Sequence, residues 1–114
     1  MTERVVVVGH IHALSAYRGE LQNLLRNAQL DVREQTGCLS AGFAAALDDP
    51  GTYLFVQEWE DQAALEAHYA TESFGRFQHE IGPMLARPSD VQWHTVTETV
   101  KPQDPTPMDP RKAD

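Results

Sequence analysis

Residues 38–60 read CLSAGFAAALDDPGTYLFVQEWE, and the fold turns on how this stretch divides. Leu39, Ala41, Phe43, Ala45 and Leu47 alternate with lesser side chains, the period of a strand. Asp48-Asp49-Pro50-Gly51 is turn chemistry at each position. From Thr52 to Glu60, Tyr53, Phe55, Gln57 and Trp59 fall on one face and Leu54, Val56 and Glu58 on the other. Two strands joined by so short a turn predict an antiparallel hairpin.

Working outward, residues 16–34 carry Tyr17, Leu21, Leu24, Leu25, Ala28 and Val32 on one helical stripe, with Arg18, Glu20, Asn23, Arg26 and Asn27 opposite. Ser15 is the expected N-cap and Gly37 the glycine that closes the helix. Before it, Val5-Val6-Val7-Val8 opens a strand over residues 4–12. This run does not alternate, so both its faces are expected to be buried. After the hairpin, Asp61 is placed to cap a second helix through Ala63, Leu65 and His68. A shorter helix is expected over Ser73 to Ile81, ended by Gly82-Pro83, and a last strand over Val91 to Val100.

The order strand, helix, strand, strand, helix, strand is the ferredoxin-like βαββαβ plan of an α+β domain, with the helices on one face of an antiparallel sheet. The other face then needs a cover, and a second subunit packed face to face supplies one. The domain is assigned to residues 1–100; residues 101–114, with Pro102, Pro105, Pro107 and Pro110 among charged and polar residues, form a tail with little to bury and are expected to be disordered.

Bulk properties narrow the function. The chain has 114 residues, enough for one domain, and 41% of them are hydrophobic. A net charge of −8 with scattered basic residues argues against nucleic acid and against anionic membranes. The single cysteine, Cys38, has no partner for a disulfide and reads as a small half-buried apolar residue. With neither a secretion signal nor a membrane span visible, the cytoplasm is the expected location. His10 and His12 share a strand face, but no cysteine or adjacent carboxylate completes a metal set, so no metal is expected. No P-loop, dinucleotide glycine fingerprint or Gly-x-Ser-x-Gly elbow is present, so no cofactor is expected either.

Several segments together resemble the antibiotic biosynthesis monooxygenase family: Glu34-Gln35-Thr36-Gly37-Cys38-Leu39, then Asp48-Asp49-Pro50-Gly51, then Trp59-Glu60-Asp61-Gln62-Ala63-Ala64-Leu65-Glu66-Ala67-His68, then Ser73-Phe74. The resemblance spans nearly all of residues 4–99. It implies a homodimeric α+β barrel with a pocket between sheet and helices in each subunit. It implies that Trp59 and His68 border that pocket and that Phe74 and Phe77 wall it; Phe43 and Phe55 are further candidates for its apolar surround. It also implies a reaction: an electron-rich hydroquinone, phenol or anthrone is deprotonated, and its anion reduces O2 without a cofactor. His68 is the candidate proton acceptor. Trp59, with Gln57 or His79, is the candidate holder of the oxygen that becomes anionic, and His10 is a further binding candidate. One departure stands out, since many relatives carry Glu where this chain has Gln57.

The residues themselves leave His68 two roles, a pocket base or a packing histidine bonded to a backbone carbonyl. Trp59 is equally a core residue at a strand end. Two other functions compete. One is a non-catalytic binding or stress-response dimer, which the missing carboxylate at Gln57 favours. The other is a haem-degrading relative, which would want an axial histidine on the short helix and an asparagine on the first strand; His79 is out of register and that strand offers Gly9 and His10.

Overall fold

The computed structural model describes residues 3–102. Four strands, β1 (Arg4–His12), β2 (Cys38–Ala45), β3 (Thr52–Trp59) and β4 (Asp90–Val96), form one antiparallel sheet in the order β2-β3-β1-β4. Helices α1 (Arg18–Arg33), α2 (Gln62–Tyr69) and α3 (Glu72–Ile81) complete the ferredoxin-like α+β fold. The tail expectation falls mainly on residues 103–114, which lie outside the described residues.

Register explains which side chains meet. Val5, Val7 and Ile11 of β1 pair with Trp59, Gln57 and Tyr53 of β3, so all six point to the helix side. Two apolar clusters grow there. Val5, Val7, Trp59 and Leu65 join Val32 and Ala41 in one; Ile11, Leu21, Leu25 and Tyr53 join Ile81 and Met84 in the other.

The valine run is buried unequally within the chain. Val5 and Val7 are buried, whereas Val6 and Val8 face away from the helices and are only half covered. Beside them lie Leu54, 36% exposed, and Val56, 39% exposed. Among the described residues, the two-sided burial expected from sequence is thus met on one side only.

Side chains of α1 reach the edge strand. Arg33 Nε donates to the Ala41 carbonyl at 2.7 Å, and Gln29 Oε1 accepts from the Phe43 N–H at 3.1 Å. Both bonds satisfy backbone groups that an edge strand leaves open.

Boundaries differ from the sequence expectation at four places. Ser15 opens a short 3-10 turn, Ser15–Tyr17, and makes no side-chain cap, so α1 starts at Arg18. A bulge between Cys38 and Ser40 takes Leu39 out of the alternation and leaves it exposed. Leu47 lies beyond the end of β2 and is fully exposed. β4 ends at Val96, where the alternation of threonines continues but ladder partners on β1 run out at Arg4. Gly37 does have the left-handed conformation, φ +84°, and a Cβ there would stand 2.5 Å from the Ala64 Cβ. The bare glycine lets α2 sit directly on the turn that carries Gln35.

Candidate active site

Helix caps set the corner of the site. Asp61 accepts from the Ala64 N–H at 2.8 Å and starts α2 as expected. Thr71, which the sequence reading passed over, does two things: its hydroxyl donates to the His68 carbonyl at 2.8 Å and accepts from the Phe74 N–H at 3.1 Å. One side chain thus ends α2 and begins α3. It brings His68, Tyr69 and Phe74 together as a ring cluster, with centroids 4.9 to 5.4 Å apart.

Between these helices, α1 and the sheet lies a cavity of about 340 Å³, a size that suits a small-molecule ligand. Phe43, Phe55, Phe74 and Phe77 form apolar walls, and His68 and Gln57 stand among them as polar groups. Asp31, Arg76 and Glu80 supply charge to the lining. Phe55 owes its place to Gly9. The two are paired across β1 and β3, and a Cβ on residue 9 would come within 2.5 Å of the Phe55 ring.

His68 is nearly buried and stacks on Trp59, ring centroids 5.0 Å apart and planes 25° from parallel. Its Nδ1–H donates to Gln35 Oε1 at 2.8 Å, since an amide oxygen can only accept. Neutral His68 therefore carries its proton on Nδ1, and Nε2 keeps a lone pair with no protein partner among the described residues. Burial pushes the imidazole below its ordinary value of 6.5, with the Asp31 carboxylate offsetting part of the shift. The ring is thus a neutral base in near-neutral solution.

Trp59 is 0% exposed and does not line the cavity. Its Nε1–H is already donated to Gln57 Oε1 at 3.0 Å. This corrects the expectation that the indole N–H itself would meet a substrate oxygen: the packing that buries the ring also spends its donor on Gln57. That bond fixes the amide, and the Gln57 NH2 end keeps its donors for the cavity. Two other candidates lie elsewhere. His79 is exposed on α3 and borders no part of the cavity. His10 points from the opposite face of the sheet, paired with Leu54, where its Nδ1 lies 2.9 Å from Asp90 Oδ1.

A carboxylate therefore does stand beside His10, supplied by a β1–β4 pairing that spacing along the chain does not reveal. No group of three or more His, Cys, Asp or Glu converges to hold a metal among the described residues. Nor is any helix among them long and apolar enough to cross a membrane. Cys38 is half-buried, with its thiol pushed up by desolvation, in keeping with an inert packing role. Gln35, Asp31, Thr71 and Tyr69 went unremarked as site residues. A signal for the first two was present, since Asp31 and Gln35 stand four residues apart at a helix end.

A family model described as antibiotic biosynthesis monooxygenase matches residues 4–80. The chain belongs to the antibiotic biosynthesis monooxygenase family. It is 27% identical over 95 residues to the uncharacterized protein sll1783 of Synechocystis, a match covering 83% of this chain and 65% of that protein. Among solved structures it is similar to an antibiotic biosynthesis monooxygenase at 26% identity and a TM-score of 0.77, covering 82% of this chain and 99% of the other. It is also similar to Rv0793 of Mycobacterium tuberculosis, with a TM-score of 0.79, 20% identity and coverage of 86% and 99%. That last likeness is one of fold. Within the family fold, the cavity lies on the helix side of the sheet, and its polar groups come from α1 (Asp31), β3 (Gln57), α2 (His68) and α3 (Arg76 and Glu80).

Proposed function

We propose that this chain is a cofactor-independent monooxygenase that oxidises an electron-rich aromatic compound, such as a hydroquinone, phenol or anthrone, with O2. The observation that carries the reading is the pairing of one base with one donor in an apolar cavity. His68 offers Nε2, and the Gln57 amide, its oxygen held by Trp59, offers N–H groups.

The chemistry follows from that pairing. His68 takes the acidic proton of the substrate, and Gln57 donates to the oxygen on which negative charge gathers. The phenylalanine walls keep water away, so both interactions act in a medium of low dielectric. The resulting carbanion-like anion is the reductant. It passes electrons to O2, a C–O bond forms, protonated His68 returns its proton to the peroxide, and the hydroperoxide loses water: in an anthrone a CH2 group and O2 become a C=O group and H2O, and in a phenol or hydroquinone the ring C–H and the O–H supply the two hydrogens.

The active unit is proposed to be a homodimer joined through the open face of the sheet. Val6, Val8, Leu54 and Val56 form an apolar surface there that none of the helices and strands among the described residues covers. The Arg4–Glu58 ion pair at 3.4 Å marks one polar end of it.

Oxygen uptake by chelator-treated protein against a panel of hydroquinones, phenols and anthrones tests the proposal. Uptake is expected with at least one, and His68→Ala should lower kcat by roughly a hundredfold, a usual contribution for a general base. Binding of the panel without uptake would overturn the oxygenase reading and leave a binding dimer.

A further inference from the structure

We propose that Gln35 and Asp31 are positioning residues for the His68 base, forming a three-membered relay in which Asp31 holds Gln35 and Gln35 holds His68. The inference rests on the reading of His68 as the proton acceptor.

Asp31 lies in the last turn of α1, and Gln35 is just past its end. Gln35 Nε2–H donates to Asp31 Oδ2 at 3.3 Å, while Gln35 Oε1 accepts from His68 Nδ1–H at 2.8 Å. The two contacts determine each other. A carboxylate can only accept, so the NH2 end of the amide must face Asp31. The carbonyl end must then face His68, and the proton of neutral His68 must sit on Nδ1. Reversing the amide would turn its NH2 toward Nδ1, which would move the proton of neutral His68 to Nε2, and would set the amide oxygen against the Asp31 carboxylate, two acceptors with no hydrogen between them. A residue 33 positions away in sequence thus selects which imidazole nitrogen is basic.

The ring around that bond has little freedom. Trp59 stacks on one face, and Phe74 meets the ring edge-on, centroids 5.0 Å apart and planes at 62°. Rotating the imidazole would break the Gln35 bond and the stack together.

An amide in this position has a chemical consequence that a carboxylate would not. A carboxylate bonded directly to Nδ1 would stabilise the imidazolium strongly and keep a buried histidine charged at rest. Gln35 is neutral, so His68 rests unprotonated and ready to accept. Asp31, one hydrogen bond farther away, stabilises the imidazolium more weakly and offsets only part of the effect of burial. The other groups facing His68 do not duplicate this field: β3 presents Trp59 and Gln57, α3 presents Phe74, and α2 adds the Tyr69 phenol, which burial pushes up and so keeps neutral. Arg76 and Glu80 of α3 border the same cavity.

Long-range 1H–15N NMR of histidine-labelled full-length protein tests the relay without any substrate. Wild-type His68 is expected as the Nδ1–H tautomer. Gln35→Glu should raise its titration midpoint, and Asp31→Asn should lower it. Where oxygen uptake is measurable, Gln35→Leu should reduce kcat roughly tenfold or more through loss of the tautomer, with KM within about twofold. The acid limb of the Gln35→Glu rate profile should move up with its NMR midpoint. An Nε2–H tautomer in the wild type, or a midpoint unmoved by Gln35→Glu, overturns the relay. The two readings fail separately. Uptake by a protein with the Nε2–H tautomer removes the relay and keeps the oxygenase; the Nδ1–H tautomer with no uptake on any substrate supports the relay's geometry and removes the oxygenase.

Discussion

The imidazole of His68 lies over the indole of Trp59, with ring centroids 5.0 Å apart and planes inclined by 25°. This stack joins the base to the donor of the proposed reaction. Trp59 supports His68 with its face and Gln57 with its N–H, so one fully buried residue orients both polar groups on which the proposed reaction rests. A tryptophan can do both because its ring is large and its single donor lies on the rim.

Replacing Trp59 with Phe should separate these two duties. The aromatic face remains, so the His68 titration midpoint should stay near the wild-type value. The N–H is lost, so the Gln57 amide is free to turn, and kcat/KM should fall about tenfold, the equivalent of roughly 1.4 kcal/mol. In a Gln57→Leu background the same substitution should have almost no further effect on turnover, because its route to the substrate is gone. Equal losses in both backgrounds would show that Trp59 acts by some other path.

Both activity and stability should carry the His68 titration. The active base is the neutral form, so kcat/KM should rise with pH through a single step whose midpoint lies below 6.5, on the side to which burial displaces this group. For stability, the unfolded imidazole titrates at its ordinary value, while the folded one resists protonation. As pH falls through 6.5 the unfolded chain gains a proton that the folded chain does not, and stability is lost until the folded group titrates too. Denaturant melts of wild type and His68→Phe, compared across that range, should differ in slope with that sign. A steeper loss in the variant would contradict the assignment.

The sequence disclosed the fold because its periods were clean. Alternation from Tyr53 to Trp59, the stripe from Leu21 to Val32 and the turn at Asp48-Asp49-Pro50-Gly51 each read locally. The cavity walls followed from the same alternation, together with the family resemblance for Phe74 and Phe77. What stayed hidden depends on pairs far apart in the chain. The Gln35–His68 bond spans 33 positions, and the burial of the Trp59 N–H is decided by a neighbour's amide rotamer. The placement of His10 beside Asp90 depends on the β1–β4 register, which joins residues 80 positions apart. Periodicity predicts which face a side chain takes, not what waits there.

The open sheet face makes its own prediction. Val56→Lys puts a charge into the centre of the apolar surface formed with Val8. If that surface is the proposed dimer interface, the variant should run as a monomer by light scattering while its circular dichroism keeps the wild-type form. A wild-type mass equal to one chain would sink the dimer outright.

The last prediction concerns Gly9, whose lack of a side chain shapes the cavity. Its position on β1 is crossed by the Phe55 ring from β3, and a Cβ would approach ring carbons at 2.5 Å and the Asp90 carbonyl at 2.6 Å. Gly9→Ala must therefore turn Phe55 aside or part β1 from β4. Overpacking of this kind costs about 1–3 kcal/mol. The cheaper movement is that of the ring, and Phe55 lines the cavity, so the ring should encroach on the ligand's space. Affinity for a bound phenol should fall more than stability does. Phe55→Leu in the Gly9→Ala background should recover much of the binding, since it withdraws the ring that was displaced. It should recover little of the stability, since the Asp90 carbonyl still opposes the new methyl group. Calorimetric titration and thermal melts of the two variants measure both quantities. Binding that stays low in the double variant would mean that strand separation, and not Phe55, closes the cavity.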